Sequence, residues 1–212
     1  EFGVKSELFD NRLRLNATVF SMDYEDKQEE LQLPSNETDT GQKTVVINPS
    51  TATIQGIEVD VQAYIVEGLS VRANLGYLDS EYDDFVYEDV EGAIVDLSAL
   101  DFRRAPELTG TIAATYEWDL GPGRAWLTGS YRYIGEHFTS ITNNIESAND
   151  SQTLVDGSIN YAVGDLQFSV FGRNLTDEDT FTHGYEVAGV WSYAATRRPR
   201  TYGLEVVYNF GD

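Results

Sequence analysis

Two clusters of arginine are the side chains best suited to chemistry in this sequence of 212 residues. One cluster is Arg103 and Arg104, and the other is Arg197, Arg198 and Arg200. Guanidinium groups bind carboxylates and phosphates through paired hydrogen bonds, so either cluster could hold an anionic ligand. The alternative is that these arginines pair with acidic segments of the same chain, and the sequence favours neither interpretation.

A run of carboxylates with interspersed aromatic residues extends over residues 79–91. Clustered carboxylates suit hard cations, so a site for Ca²⁺ or a similar cation is one interpretation. The spacing does not match a calcium-binding loop, and a solvated acidic loop is therefore the preferred interpretation. The acidic residues are Asp79, Glu81, Asp83, Asp84, Glu88, Asp89 and Glu91, and the aromatic residues are Tyr82, Phe85 and Tyr87.

Residues that could form a catalytic centre are scarce. Only His137 and His183 provide imidazole groups, and the absence of cysteine excludes thiol catalysis and cysteine-based zinc sites. No glycine-rich phosphate loop follows a strand pattern. We therefore expect no enzymatic activity and no cofactor, and we interpret both histidines as exposed loop residues, with metal or chelate contact as the weaker alternative.

The composition excludes further classes of protein. Lys and Arg total 14 against 36 Asp and Glu, a formal charge of −22 that repels nucleic acid. A hydrophobic content of 41% with 12% aromatic residues is too high for disorder. No apolar run approaches the ~20 residues that a membrane-spanning helix needs. The sequence starts at Glu1 with no leader, so we expect a part of a longer protein.

Apolar and polar residues alternate along most of the chain with the period of two that is typical of β-strands. Every odd position from Ile57 to Ile65 is apolar, whereas Glu58, Asp60 and Gln62 are polar. The pattern predicts an all-β fold. We expect nine strands, at residues 2–8, 13–29, 52–65, 69–82, 107–118, 124–138, 152–163, 166–174 and 200–210.

Short and long connections alternate strictly between these nine strands. The connections after the odd-numbered strands are tight turns rich in Asp, Asn, Gly and Pro. The connections after the even-numbered strands are long and cover residues 30–51, 83–106, 139–151 and 175–199. Short periplasmic turns and long extracellular loops are typical of an antiparallel transmembrane β-barrel.

A soluble β-sandwich is the competing architecture, because alternating strands build sandwiches as well. The strand length favours the barrel, since several strands have the ~9 to 11 residues that a tilted strand needs to cross lipid. Aromatic residues also end the apolar rows on both sides, as interfacial belts do. They are Tyr116, Trp118, Tyr161, Tyr208 and Phe210 at the short-turn end, and Tyr77, Tyr131, Tyr133 and Tyr202 towards the long-loop end.

In a barrel, the two rows of each strand face lipid and lumen. We expect the apolar row outside and the polar row in a water-filled lumen. The predicted lipid-facing residues are Ile57, Val59, Val61, Leu69, Val71, Leu75, Ile112, Ala114, Leu204 and Val206, and the predicted lumen-facing residues are Glu58, Asp60, Arg72, Asn74 and Thr111.

The odd number of strands determines whether these nine strands can form a closed barrel by themselves. With antiparallel neighbours throughout, the first and ninth strands both run towards the short-turn side, so they cannot pair with each other. We therefore expect further strands upstream of Glu1.

Four segments resemble hairpins and strand ends of TonB-dependent outer-membrane receptors. They are LFDNRLRLN leading to FSMDY (8–16 and 20–24), ATIQGIEV (52–59), GRNLTDE (172–178), and PRTYGL continuing to YNF (199–204 and 208–210). They follow the order found in the family and cover most of the chain.

The resemblance implies a 22-stranded barrel with an N-terminal plug in its lumen. Residues 1–212 would be its last nine strands, with the plug and the segment that engages the TonB system upstream. The implied location is the outer membrane of a Gram-negative bacterium, among lipid and lipopolysaccharide. Barrels of this kind commonly finish on an aromatic residue read by the assembly machinery, a role that we expect for Phe210 although Gly211 and Asp212 follow it.

The implied function is TonB-energised uptake of a scarce ligand such as a ferric siderophore, and the sequence does not separate an iron chelate from cobalamin or a sugar. At the outer rim, the arginine clusters could hold this ligand or the phosphates of lipopolysaccharide. Two other functions stay open: a passive porin-like channel and a soluble β-sandwich binding module.

Overall fold

The computed structural model describes residues 1–35, 37–89, 92–187 and 191–210. Its strands are β1 (Phe2–Leu8), β2 (Leu13–Pro34), β3 (Gln42–Val66), β4 (Leu69–Glu88), β5 (Ile94–Asp96), β6 (Leu108–Leu120), β7 (Gly123–Ile134), β8 (His137–Phe138), β9 (Ala148–Asn149), β10 (Gln152–Val163), β11 (Leu166–Arg173), β12 (Phe181–Val187), β13 (Trp191–Thr196) and β14 (Thr201–Tyr208). A short 3₁₀ turn covers Ile145–Ser147. Among the described residues, no helix is long and apolar enough to span a membrane.

Nine strands form one continuous antiparallel sheet in the order β1-β2-β3-β4-β6-β7-β10-β11-β14. The all-β fold and the nine-strand path are therefore confirmed. A single sheet of this length is not the pair of packed sheets of a sandwich, so that alternative is wrong. Within the described residues β1 pairs only with β2 and β14 only with β11, and the barrel wall is not closed.

The predicted tight turns are present at residues 9–12, 67–68, 121–122 and 164–165. In the first turn, Phe9, Asp10 and Asn11 all have positive φ angles near 60°, and the Arg12 amide donates to the Phe9 carbonyl at 3.1 Å. Gly68 is needed in the second turn. Its φ is +80°, and a Cβ atom there would lie 2.2 Å from the Glu117 carbonyl oxygen.

The predicted long loops were wrong in part, because several of them contain strands. β2 and β3 continue past the expected ends, to Pro34 and from Gln42, and pair with each other up to these residues, while β4 continues to Glu88. Residues 181–187 and 191–196 pair as the antiparallel strands β12 and β13. The reason is that alternation persists beyond the apolar band: Leu31 and Leu33 face a buried side although polar residues surround them.

The strand register separates the two predicted rows onto opposite faces of the sheet. Val59 lies opposite Ala17 and Leu75, and the neighbouring position Asp60 lies opposite Asn16 and Asn74. The same register continues across the sheet through Thr111 and Arg132. The apolar row is solvent-exposed at many positions, and its exposed members include Ile57, Leu75, Ile112, Ile159, Leu204 and Val206.

The hydrophobic core lies outside this single-layered wall. It is built where the strands extend beyond the apolar band on the long-loop side, a region that we call the lobe (the described residues within 24–52, 80–105 and 137–150). Its buried residues are Leu31, Ala52, Tyr82, Phe85, Phe102 and Ile141. Because these come from β2, β3, β4, the segment before β6 and the segment after β8, the long connections pack into one body.

Candidate functional site

Arg103 and Arg104 line the same pocket in the lobe, which has a volume of about 420 Å³. We call this pocket the basic pocket. Its walls come from β2, from the segment before β6, from the segment between β8 and β9, and from β12. The lining residues are Glu30, Leu31, Gln32, Arg103, Arg104, Thr139, Ser140, Ile141, Thr142 and His183.

Hydrogen bonds fasten the arginine segment to the segment between β8 and β9. The Arg104 amide donates to the Phe138 carbonyl at 2.7 Å. Asp101 and Asn143 exchange two bonds, from the Asp101 amide to Asn143 Oδ1 at 2.6 Å and from Asn143 Nδ2 to the Asp101 carbonyl at 3.0 Å. The pocket is therefore held by backbone contacts as well as by side chains.

Backbone geometry turns both arginines into the pocket. Arg104 has a φ of +58°, in the left-handed region that non-glycine residues seldom adopt. Successive side chains of an extended segment point to opposite sides, but this bend breaks the alternation. Asp101 and Phe102 consequently line a different cavity, while Arg103 and Arg104 share the basic pocket.

His183 reaches the basic pocket because β12 lies close against the segment between β8 and β9. The Gly184 amide donates to Thr139 Oγ1 at 2.9 Å, and a Cβ atom at Gly184 would lie 2.8 Å from that oxygen. The Arg104 guanidinium contacts His183 Nδ1. Since arginine only donates, Nδ1 accepts and Nε2–H donates to the Tyr193 hydroxyl at 3.1 Å.

The buried carboxylate of Glu29 forms an ion pair with Arg103. The Glu29 side chain is 1% exposed, and its Oε1 accepts hydrogen bonds from Lys27 and, at 2.8 Å, from the Tyr82 hydroxyl. Arg103 Nη2 lies 3.3 Å from Glu29 Oε2 in an ion pair, although the geometry is not that of a hydrogen bond. A carboxylate this deeply buried requires compensating charge, which these two cations provide.

The surroundings of Glu29 shift the proton equilibria of its partners. Burial, with the charge of Arg103 as a second cause, lowers the pKa of Lys27. Burial raises the pKa of the Tyr82 hydroxyl to about 12, although the charge of Arg103 acts in the opposite direction. Lys27 also lies over the rings of Phe102 and Tyr82, 4.7 Å and 5.3 Å from their centroids.

The second arginine cluster lies elsewhere, at the end of β11. Arg197 Nη2 donates to Gln152 Oε1 at 2.8 Å, and Arg200 Nη2 pairs with Asp177 Oδ2 at 3.0 Å. Arg198 is exposed, and its carbonyl accepts a bond from Asn174 Nδ2 at 3.1 Å. The structure thus does not bring the two arginine clusters together.

Asn174 organises this second region. It is buried, with a φ of +51°, and its amide donates to Asp156 Oδ1 at 2.7 Å. Its side chain also donates to the Glu178 carbonyl at 3.0 Å and accepts from the Glu178 amide at 2.9 Å. The segment around Asn174 therefore ends β11 and ties the following chain to the start of β14.

The remaining sequence candidates lie apart from the basic pocket. His137 lines a second cavity of about 430 Å³, and its Nδ1–H donates to the Gly135 carbonyl at 2.9 Å. Asp79 and Asp83 accept bonds from Gln55 and Thr53. Among the described residues, no group of three or more acidic or histidine side chains is arranged to hold a metal ion. Glu91 lies outside the described residues.

Phe210 lies at the short-turn end of the sheet. The neighbouring Asn209 amide donates to the Asp165 carbonyl at 2.8 Å, and the Phe210 ring meets Tyr208 edge-on with centroids 4.7 Å apart. The Phe210 side chain is 92% exposed. Gly211 and Asp212 lie outside the described residues.

The sequence patterns did not reveal the residues that hold the arginines and the neighbouring segments of the basic pocket in place. Lys27, Glu29 and Thr139 showed no motif, because their roles depend on contacts with distant segments, such as those of Lys27 with Phe102, Glu29 with Tyr82 and Thr139 with Gly184. The only available signal was the strand pattern: Leu31 continues the alternation of β2 past its expected end, which would have extended that strand into the lobe.

Comparison with known proteins connects this geometry to a family. A family profile described as "TonB dependent receptor-like, beta-barrel" matches residues 1–175. The ferric yersiniabactin uptake receptor FyuA from Yersinia pestis is similar in structure, with a TM-score of 0.77 and 18% identity, over 99% of this chain and 29% of that chain. The siderophore receptor PiuA from Acinetobacter baumannii has a TM-score of 0.72 and 21% identity, over 97% and 27%.

The ferric-catecholate import receptor Fiu from Escherichia coli K12 gives a TM-score of 0.68 and 20% identity, over 98% of this chain and 27% of that one. The chain thus spans less than a third of the length of each of these receptors. At such identities the structural likeness shows a shared fold.

Proposed function

This chain belongs to the TonB-dependent receptor-like β-barrel family, and from that premise we propose that it forms part of the wall and ligand-binding loops of an uptake receptor for a ferric siderophore. Members of the family are outer-membrane proteins of Gram-negative bacteria, which places the chain in that membrane. The observation that carries the proposal is the combination of one apolar-faced sheet with a packed lobe on its long-loop side.

The proposed wall has lipid on one side and the lumen on the other. The apolar row, which includes the exposed residues Ile57 and Leu204 and the half-buried Val71, would contact lipid. The row of Glu58, Asp60, Arg72, Asn74 and Thr111 would face the lumen, where charged groups keep their hydration. The continuous backbone hydrogen-bond ladder between neighbouring strands supports this arrangement, because lipid cannot satisfy backbone polar groups.

The proposed ligand contacts lie in the basic pocket. Arg103 and Arg104 face a cavity large enough for a substantial part of a small-molecule ligand. Arg197 and Arg200 are held by Gln152 and Asp177, so we assign them to loop stability instead. Arg198 is exposed and stays a candidate contact for lipopolysaccharide phosphates.

An iron chelate is the proposed ligand, ahead of cobalamin or a sugar. The similar structures include receptors described as a ferric yersiniabactin uptake receptor and a ferric-catecholate import receptor. The proposal extends that class of ligand to this chain, with transport and not catalysis as its role.

The proposed partners belong to the rest of the receptor and to the cell envelope. We propose that residues 1–212 form the C-terminal part of the barrel, that a plug occupies the lumen, and that the TonB system acts through this plug. The support is that the chain covers only 29% of FyuA. We also propose that the barrel-assembly machinery reads Phe210, which is exposed at the short-turn end.

Uptake of radiolabelled iron chelates by cells that carry the full-length receptor tests this function. Uptake should depend on the receptor gene and on an intact TonB system. A passive porin-like channel, the second candidate, would keep transporting after TonB is removed. Transport that is independent of TonB would therefore refute the proposal in favour of the channel.

A further inference from the structure

We propose that the basic pocket binds the negatively charged oxygens of an anionic chelate, such as its catecholate or carboxylate groups, through Arg103 and Arg104, and that Glu29 is the positioning residue for Arg103. The proposal rests on the proposed function and names the class of ligand that this site takes. Four features of the pocket carry it.

The first feature is the unused donor capacity of the two guanidinium groups. In the described part of the chain, Arg103 has one charged partner, Glu29, and the 3.3 Å contact is an ion pair without hydrogen-bond geometry. Arg104 contacts His183 through Nη2. Each guanidinium has five N–H donors in a planar fork that matches a carboxylate or a pair of adjacent oxygens. Both arginines can therefore accept an oxyanion without giving up an existing hydrogen-bond network.

The second feature is a pair of hydroxyl groups that line the same pocket. Ser140 Oγ and Thr142 Oγ1 lie 3.2 Å apart at the pocket, and one of them donates to the other. A hydroxyl can donate to a ligand oxygen while it accepts from its neighbour. The pocket thus offers neutral donors beside the two cations.

The third feature is the local charge, which opposes that of the whole chain. The residues that line the pocket, together with Glu29 and its ion-pair partner Lys27, carry three positive charges, on Lys27, Arg103 and Arg104, and two negative charges, on Glu29 and Glu30. This is an excess of one positive charge in a chain of net charge −22. An anion is therefore favoured at this place in particular.

The fourth feature is the backbone strain at Arg104. A positive φ at a non-glycine residue is disfavoured and persists only where the surrounding structure holds it. Here the Arg104 amide is held by the Phe138 carbonyl, and the bend places two successive arginines on one pocket. An extended backbone would have turned one of them away.

Glu29 keeps Arg103 at the pocket because it neutralises a repulsion. Lys27 and Arg103 both lie against this carboxylate, and the charge of Arg103 contributes to lowering the pKa of Lys27. Without the carboxylate, the two cations would repel each other and Arg103 would lose its ion pair with β2. Glu29 acts on the ligand only through Arg103, since its own side chain is 1% exposed.

Ligand binding to the purified full-length receptor, read by quenching of tryptophan fluorescence, tests the proposal. The probes are a triply negative ferric tris-catecholate and a neutral ferric tris-hydroxamate. We expect the anionic probe to bind more tightly. Arg103→Gln and Arg104→Asn should each weaken its binding by about ten- to hundredfold, the effect of losing a charge-assisted hydrogen bond. Asn suits position 104 because it tolerates positive φ.

The matched control is Arg124→Gln, which removes the same charge at a short turn of the sheet, where Arg124 lies near Glu117 and Asp119. It should leave the affinity for both probes unchanged. Gel mobility before and after heating verifies that each variant is folded. Equal loss of affinity in Arg124→Gln would show a non-specific charge effect and would overturn the proposal.

Glu29→Gln tests the positioning role, because the two roles open to Glu29 predict opposite signs. If Glu29 holds Arg103 in place, the variant binds the anionic probe at least about tenfold more weakly and Glu29→Asp restores part of the affinity. If Glu29 merely competes with the ligand for Arg103, the variant binds the anion more tightly. The second result would refute the positioning role.

Failure of the inference and failure of the proposed function are distinguishable. If cells with the wild-type receptor take up neither chelate in a TonB-dependent manner, the proposed function fails. If they take up chelates but the purified receptor does not distinguish the anionic from the neutral probe, uptake stands and the basic pocket is not an oxyanion site.

Discussion

Single residues in this chain are decisive where distant segments meet, and Glu29 is the clearest case. Its carboxylate joins Lys27 on the same strand, Tyr82 on β4 and Arg103 in the segment before β6. The contacts with Tyr82 and Arg103 do not follow from sequence spacing, because these residues lie 53 and 74 positions from Glu29. The residue types alone predict that the arginines could bind an anion, but they do not predict that Glu29 contacts Arg103.

Tyr82→Phe should loosen the lobe. The variant removes the hydroxyl that donates to Glu29 at 2.8 Å, and losing a hydrogen bond to a buried charge costs about 1.5–3 kcal/mol. Hydrogen exchange of the full-length receptor should show faster exchange around Leu31 and Phe102. The control is Tyr24→Phe, since Tyr24 is exposed on the same hairpin. Unchanged exchange in Tyr82→Phe would contradict the role of this hydroxyl.

Alkaline pH should weaken the same contact. Burial raises the pKa of Tyr82 from its ordinary 10.0 to about 12. A raised pKa in the folded state contributes stability that is complete below pH 10.0 and is lost as pH rises towards about 12. An ultraviolet difference titration of wild type against Tyr82→Phe should show one phenol that ionises late. Ionisation of this phenol at its ordinary pH would contradict the burial.

Asn174→Ala should destabilise the end of β11. Alanine tolerates the φ of +51° poorly, and the variant leaves the backbone carbonyls of Glu178 and Arg198 without their hydrogen-bond donor in a part-buried region. We expect a loss of about 2 kcal/mol or more. The urea midpoint of the full-length receptor, read by gel mobility, measures this loss, with Asn209→Ala, at an exposed position, as the control.

At the scale of strands and hairpins, the sequence predicted the existence of the nine wall strands and their four tight turns. Alternation is a local property that a strand must show when its faces meet different surroundings, so these elements could be read directly. The positions of the strand ends could not be predicted in this way. β2, β3 and β4 continue into the lobe, where polar residues mask the pattern and the buried face is chosen by packing against Phe102 and Ile141.

Val71→Arg tests the assignment of the two faces. Val71 lies opposite Ala63 and Ala114 on the exposed apolar row, and an arginine at mid-depth in lipid costs ~2–4 kcal/mol. The amount of heat-modifiable receptor in the outer membrane should fall. Asn74→Arg, on the opposite row, should be tolerated as the control. Equal effects of the two substitutions would contradict the assignment.

Removal of residues 210–212 should impair barrel assembly if Phe210 is the terminal signal. Phe210 is exposed beside Tyr208, where another protein can reach it. The surface level of the truncated full-length receptor gives the result, and removal of residues 211–212 alone is the control. Normal surface levels without Phe210 would refute the signal role.

At the scale of the whole molecule, the sheet has two unpaired edges. Within the described residues, β1 pairs only with β2, and β14 pairs only with β11. Both strands run towards the short-turn side, so they are parallel to each other and cannot complete the antiparallel ladder. Unpaired backbone groups cost several kcal/mol each in lipid, which makes an open wall unstable in a membrane.

Residues 1–212 expressed alone should therefore fail to form a native barrel. In the full-length receptor, we expect β14 to pair with the first strand of the barrel and β1 with a strand that precedes it. The isolated segment in detergent or lipid should show no heat-dependent shift in gel mobility and no protection from protease, whereas the full-length receptor should show both. A compact, protease-resistant and heat-modifiable monomer of residues 1–212 would mean that β1 and β14 satisfy their edges within this chain, and the requirement for further strands would then be wrong.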